Sequence, residues 1–127
     1  HSGYNTIFGI NHKRQIYLSN KKNEIRGKDE IINLGNIGTI PKRANIHFHL
    51  DPNIELIQTR SGSILLKHSK GFVWKMSSDN QDIDIKDSVM FTPKGPVPCK
   101  EIMINMKLEK IRAYKFISCN WAFQLQK

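Results

Sequence analysis

The residues best placed by type and spacing to do chemistry are His47 and His49, two positions apart, with Glu55 six residues further on. Ile46, Phe48 and Leu50 alternate with Asn45, His47 and His49, which is the period of a strand with one buried face. Both imidazoles therefore share the polar face of that strand. Two histidines and a carboxylate form a borderline-soft donor set that suits Fe, Mn, Ni or Zn. The other reading of the pair is two ordinary polar positions on a half-exposed strand. Other chemical signatures are missing. There is no G-x-S-x-G elbow, P-loop or G-x-G-x-x-G, and Ser61-Gly62-Ser63 reads as a turn. Cys99 and Cys119 have no zinc-finger spacing. They read as two buried thiols, or as a pair facing each other across a final hairpin. Asp82 and Asp84, beside Lys86, read as a solvated strand face.

The elements that must position these groups are strands throughout. Residues 7–19 read as one or two strands ending at the polar turn Asn20-Lys21-Lys22-Asn23, and residues 24–34 continue in short extended pieces. Residues 34–43 hold two glycines and a proline without periodicity and read as a loop. The His-x-His strand covers residues 44–50, with Pro52 helping to end it. Residues 54–59 and 63–67 flank Arg60-Ser61-Gly62, a hairpin connection. Phe72, Trp74 and Met76 share one face and are expected in the core. Residues 82–86 alternate cleanly, residues 88–91 form a further short strand, and residues 92–98, with three prolines, read as rigid loop. Ile102, Ile104, Met106 and Leu108 then alternate with Glu101, Met103, Asn105 and Lys107, and Ile117, Cys119, Trp121, Phe123 and Leu125 share one face of the last strand. No window carries a helical stripe. The expectation is one all-β domain over residues 1–127, an antiparallel β-sandwich.

The His47, His49, Glu55 and Gly62 spacing resembles the first motif of the cupins, small β-barrels that bind a transition metal. Pro93-x-Gly95 echoes the second cupin motif, but Val97-Pro98-Cys99-Lys100 lacks the histidine that should follow, and Pro41 stands where the first motif has its leading glycine. A cupin-like metal-binding barrel is the alternative reading.

Composition sets the partners. The chain carries a formal net charge of +9, which favours acidic polysaccharide, anionic lipid or nucleic acid. Its lysines are scattered from Lys13 to Lys127, and the large aromatics fall on core-facing positions, so nucleic acid is not an expected partner. No apolar run approaches a membrane span, and no membrane partner is expected. The chain begins at His1 without an initiator Met or a signal-peptide pattern, and reads as processed or as a piece of a longer protein.

Six segments, taken in order, resemble the C-terminal β-sandwich region of the heparinase II/III-like family of polysaccharide lyases. The family pattern H-D-G-Y then G-x-x-H-[KR]-R-x-x-x-L-S is met by His1-Ser2-Gly3-Tyr4 and by Gly9-Ile10-Asn11-His12-Lys13-Arg14-Gln15-Ile16-Tyr17-Leu18-Ser19. An L-x-G-x-D segment is met by Ile25-Arg26-Gly27-Lys28-Asp29, and A-I-R-F-H-L-H-P by residues 44–52, with Asp51 where the family often has histidine. E-S-I-F-F…G-P corresponds to Asp87-Ser88-Val89-Met90-Phe91 with Gly95-Pro96, and the final Q-I-V-L and W-x-[LF] to residues 101–104 and 121–123. The resemblance implies a bacterial protein, periplasmic or cytoplasmic, in which an N-terminal α/α toroid domain packs on the sandwich and the full-length protein cleaves uronate-containing glycans by β-elimination. That chemistry needs a base at the carbon acid, an acid at the glycosidic oxygen and a donor to the carboxylate. The family's catalytic histidine and zinc ligands lie in G-H-x-H and A-H-N segments, and neither occurs here. No catalytic residue, metal ligand or cofactor is therefore carried over, and the chain is expected to be a non-catalytic module. Substrate contact, if made, is expected at His1, Tyr4, Lys13 and Arg14. On this reading His49 is a strand position and not a ligand.

Overall fold

The structure is a computed structural model that describes residues 10–33, 43–80, 82–108 and 116–126. These residues form nine antiparallel strands: β1 (Ile10–Ser19), β2 (Glu24–Asn33), β3 (Arg43–His49), β4 (Ile54–Gln58), β5 (Ile64–His68), β6 (Val73–Ser78), β7 (Ile83–Thr92), β8 (Gly95–Lys107) and β9 (Phe116–Gln126). Six make a large sheet in the order β1-β2-β9-β6-β5-β4, and three make a small sheet in the order β3-β8-β7. The two pack face to face as an antiparallel sandwich, as the alternation predicts.

The core lies where the apolar alternations of both sheets meet. From the large sheet come Ile25, Ile31, Ile64, Leu66, Met76, Cys119 and Trp121; from the small one, Ile46, Ile83, Ile85, Ile102, Ile104 and Met106. β8 is the middle strand of the small sheet and is buried on both faces from Glu101 to Met106. Each large aliphatic side chain fully withdrawn from water there is worth about 1.5–3 kcal/mol. Aromatic edges lock the layers: Phe48 of β3 meets Trp121 and Phe123 of β9 edge-on at 4.9 and 5.2 Å.

Several local expectations change. Residues 24–33 are one ten-residue strand, paired along its length with β1 on one side and β9 on the other. β7 runs unbroken through residues 83–92, and β8 begins at Gly95, so the expected 92–98 loop shrinks to a tight turn. Thr92-Pro93-Lys94-Gly95 has proline second and glycine fourth, and Gly95 adopts φ 108°, a left-handed conformation that favours glycine. Pro96 and Pro98 stand in the strand opposite Phe91 and Val89. Leu50 N donates to Lys100 O at 3.1 Å, so Lys100 and the positions two and four before it aim their main-chain groups toward the β3 side, and the missing N–H groups of both prolines face away from β7. β3 ends its pairing at Glu101, so no ladder is interrupted there. Phe72 is 45% exposed and stacks on His68 at 4.5 Å instead of joining Trp74 and Met76 in the core. β8 and β9 lie in different sheets, so the final hairpin that would pair Cys99 with Cys119 does not form; both are buried free thiols. The expected 34–43 loop falls outside the described residues except for Arg43, which opens β3.

Candidate functional site

The outward face of the large sheet carries an open groove of about 810 Å³ across β1, β2, β9 and β6. Alternation aims Tyr17, Arg26, Lys28, Asn120, Gln124, Lys75 and Ser77 to this side, because register sets Tyr17 beside Arg26, Lys28 beside Asn120, and Lys75 beside Gln124. Two of the cations are held by neighbours on their own strand: Arg26 Nε donates to Glu24, and Lys28 Nζ to Glu30 at 2.9 Å. Asn120 donates to both oxygens of Asp79, through its backbone N–H at 3.0 Å and its side-chain amide at 2.8 Å. Lys75 has no ion pair among the described residues. Tyr17 is 57% exposed and offers a bare aromatic ring at the β1 side. Planar amides, forked or ammonium cations and one exposed ring are the groups that hold hydroxylated, anionic ligands.

Behind this groove, on the inward side, sits a clamp built on Asp29. Its carboxylate is fully buried and accepts from Arg14 Nε at 2.7 Å, His12 Nε2 at 2.7 Å and Trp121 Nε1 at 2.8 Å. Burial pushes the carboxyl up, but the bonds from Arg14, Trp121 and His12, together with the Arg14 charge, outweigh it and hold Asp29 below the usual aspartate range. Because the ionised carboxylate can only accept, His12 bonds through a protonated Nε2. Gly27 makes room for this arrangement. A Cβ there would lie 2.0 Å from a ring carbon of Trp121.

The third cluster is on the outward face of the small sheet. His47 and His49 straddle Glu101 of β8: His47 Nδ1 donates to Oε1, and His49 Nδ1 lies 3.5 Å from Oε2. The bond from His47, against a smaller opposing effect of burial and with help from the charges of His47, His49 and Lys86, holds the Glu101 carboxyl below its ordinary value. The two rings lie nearly parallel with centroids 6.3 Å apart. Next along β8, Asn105 donates its amide to Asp82 at 3.1 Å and Asp84 at 3.0 Å, so these two carboxylates are tied down, not simply solvated.

The partner of the two histidines is thus Glu101 and not Glu55, which stands on β4 in the other sheet. The His47, His49 and Glu55 site of the cupin-like alternative is not assembled. Among the described residues no group of three or more His, Cys, Asp or Glu is placed to hold a metal ion. Of the four expected substrate contacts, His1 and Tyr4 lie outside the described residues. Lys13 and Arg14 are neighbours in β1 and so point to opposite faces: Lys13 joins Gln15 and Tyr17 outside, while Arg14 turns inward to Asp29. Glu101 and Trp121 are the site residues that sequence reasoning missed as polar partners. Glu101 stands 54 positions from His47, and only the strand register reveals the pair.

Comparison with known proteins supplies a family. The family model described as "Heparinase II/III-like, C-terminal" matches residues 1–117. FtsZ-localized protein C of Caulobacter vibrioides is 28% identical over 101 residues, which is 72% of this chain and 17% of that protein. The chain thus spans under a fifth of that relative's length. No solved structure matches the chain.

Proposed function

The chain belongs to the heparinase II/III-like, C-terminal family, and from that premise we propose that it is the non-catalytic β-sandwich module of a polysaccharide lyase. In this reading the longer protein cleaves a uronate-containing glycan by β-elimination in an α/α toroid domain that packs on the sandwich, and the sandwich holds the acidic chain. The observation that carries it is the groove on the large sheet. Arg26 and Lys28 are held in place along its floor, Lys75 has no ion pair among the described residues, Asn120 and Gln124 supply amides, and Tyr17 supplies a stacking ring. A sugar presents hydroxyls to amides, carboxylates to cations and a C–H face to an aromatic ring, and this groove meets all three. Lys13, on the same face beyond Gln15, extends it along β1. The buried Asp29 clamp fixes β1 against β2 and β9, so Tyr17 and Lys13 are presented on a rigid edge.

The test is retention on immobilised heparin and alginate at low salt, with Lys75→Glu as the probe. Reversing one exposed charge should weaken binding about tenfold, and the protein alone should release no unsaturated uronate. Retention unchanged by Lys75→Glu would move the glycan elsewhere, and uronate release by this chain would place the chemistry within it.

A further inference from the structure

Among the described residues the sandwich is unequal: six strands on one side, three on the other. The shortfall is visible on β1. His12, Arg14, Ile16 and Leu18 alternate onto its core-facing side, yet Ile16 is 56% and Leu18 73% exposed, and no described β1 side chain enters the buried core. The described strands of the small sheet do not cover it.

Its nearer margin is β3, which pairs with β8 and has no other neighbour among the described residues. Half of the N–H and C=O groups of such a strand point away from its partner, unpaired. Alongside that edge, a slot of about 410 Å³ opens between the layers, lined by Ile25, Leu66, Trp74 and Phe123 of the large sheet and by residues 47–50. The floor does not stop at Ile25. Register places Leu18 directly beside Ile25, which in turn pairs with Phe123, so one apolar row runs Phe123, Ile25, Leu18 from the slot to the bare flank of β1. Among the described residues, a strand edge without a partner, an apolar slot beside it and an uncovered apolar flank are thus continuous.

We propose that this seam is filled by an extended segment of the longer protein, lying outside residues 1–127, which adds a fourth strand to the small sheet at the free edge of β3. The segment would alternate. Its inward positions carry large apolar side chains that enter the slot and cover Ile25 and Leu18, and its outward positions stand beside His47 and His49. Main-chain hydrogen bonds to β3 supply affinity, and the slot supplies selectivity for side-chain size. The occupant is assigned to the same protein for two reasons. The matched relative carries more than four-fifths of its length outside the region shared with this chain. The seam also lies between the core layers, where a permanent strand belongs, and not on an outer face as a transient ligand site would. The inference rests on the chain being one module of a longer family member, as proposed above, and it extends that reading by naming the seam and the kind of segment that closes it.

Hydrogen exchange of residues 43–49, measured in the full-length protein and in this chain, decides the matter. Pairing at β3 should slow exchange of its outward amides about tenfold or more in the full-length protein relative to this chain. Leu18→Ser should lower the unfolding midpoint of the full-length protein and leave that of this chain unchanged. Equal exchange in both proteins, or a Leu18→Ser variant neutral in both, overturns the proposal. Protection that appears in this chain alone and grows with its concentration means a second copy occupies the edge, and overturns it too. Uronate release is followed on the same full-length sample. An active protein with unprotected β3 refutes the added strand alone, whereas a protected β3 in an inactive protein refutes the lyase reading alone.

Discussion

Gly27→Ala is the smallest change that should disturb the centre of this molecule. The glycine stands opposite Trp121 across the β2–β9 ladder, and its φ is not in the left-handed region, so alanine meets no backbone obstacle. The obstacle is the indole. An added Cβ would lie 2.0, 2.2 and 2.4 Å from three carbons of the six-membered ring. Ordinary carbon contact begins near 3.5 Å, so the ring must retreat by roughly 1.5 Å. It has little room, being 6% exposed and wedged against Phe48 and Phe123. A retreat of that size also breaks the 2.8 Å bond to Asp29. Overpacking of a filled core costs about 1–3 kcal/mol, and loss of a hydrogen bond to a charged group about 1.5–3 kcal/mol, so the sum is about 2.5–6 kcal/mol. Against a domain stability of about 5–15 kcal/mol this is a large fraction. Guanidinium denaturation followed by far-ultraviolet circular dichroism measures it. The same titration on Trp121→Phe and on the double variant completes a cycle, because phenylalanine lacks the ring carbons that clash. The double variant should be more stable than the sum of the single losses by over about 1 kcal/mol. A loss below about 1 kcal/mol for Gly27→Ala, or strict additivity in the cycle, would mean that the indole does not cover Gly27.

Asp29→Asn keeps the shape of the clamp and removes its charge, leaving Arg14, whose side chain is 40% exposed, without a counter-ion; a loss of about 2–3 kcal/mol at neutral pH is expected from equilibrium unfolding. Because the folded Asp29 lies below its ordinary value, its contribution is present above the unfolded aspartate pKa of about 3.9 and is lost as pH falls through the lower folded value. The gap between native protein and variant should therefore close on acidification below about pH 4; a gap constant from pH 6 to 2 contradicts the assignment. Burial, reinforced by the charges of Asp79 and Asp29 and opposed by a contact with Ser78, raises the Cys119 thiol above its ordinary value. A chromogenic disulfide should thus react with Cys119 at the rate of unfolding and not at the rate of a free thiol. Burst labelling of the native protein at Cys119 would show that β9 is open.

The fold was legible because the sheets obey a period of two. Ile102, Ile104 and Met106 declare one face of β8, and Trp121 with Cys119 one face of β9, without any knowledge of partners. What failed was reasoning from composition across a short window. Three prolines between residues 92 and 98 suggested a loop, yet Pro96 and Pro98 are two apart, so both present the missing N–H to the same side, and that side has no strand to pair with there. Proline excludes a ladder bond, not a strand. Phe72 was placed with Trp74 and Met76 by parity, but it sits one residue before β6 begins, where alternation no longer governs direction, and it lies on His68 instead.

The site was less legible, because chemistry here depends on register between strands far apart in sequence. His47-x-His49 advertises a ligand pair, and the nearest glutamate downstream is Glu55. Yet β4 belongs to the other sheet, and antiparallel pairing brings Glu101 between the imidazoles. Lys13 and Arg14 make the same point from the opposite direction. As a basic dipeptide they read as one patch, but a strand divides them, sending one charge to the groove face and burying most of the other's purpose in Asp29. A net charge of +9 therefore overstates the free positive charge at any one place, since Arg14, Arg26, Lys28 and Lys100 are each engaged by a carboxylate. Lys75, central in the groove and without such a partner among the described residues, is where an acidic ligand would find an unspent cation, which is why a single reversal there separates a specific groove from a diffusely basic surface.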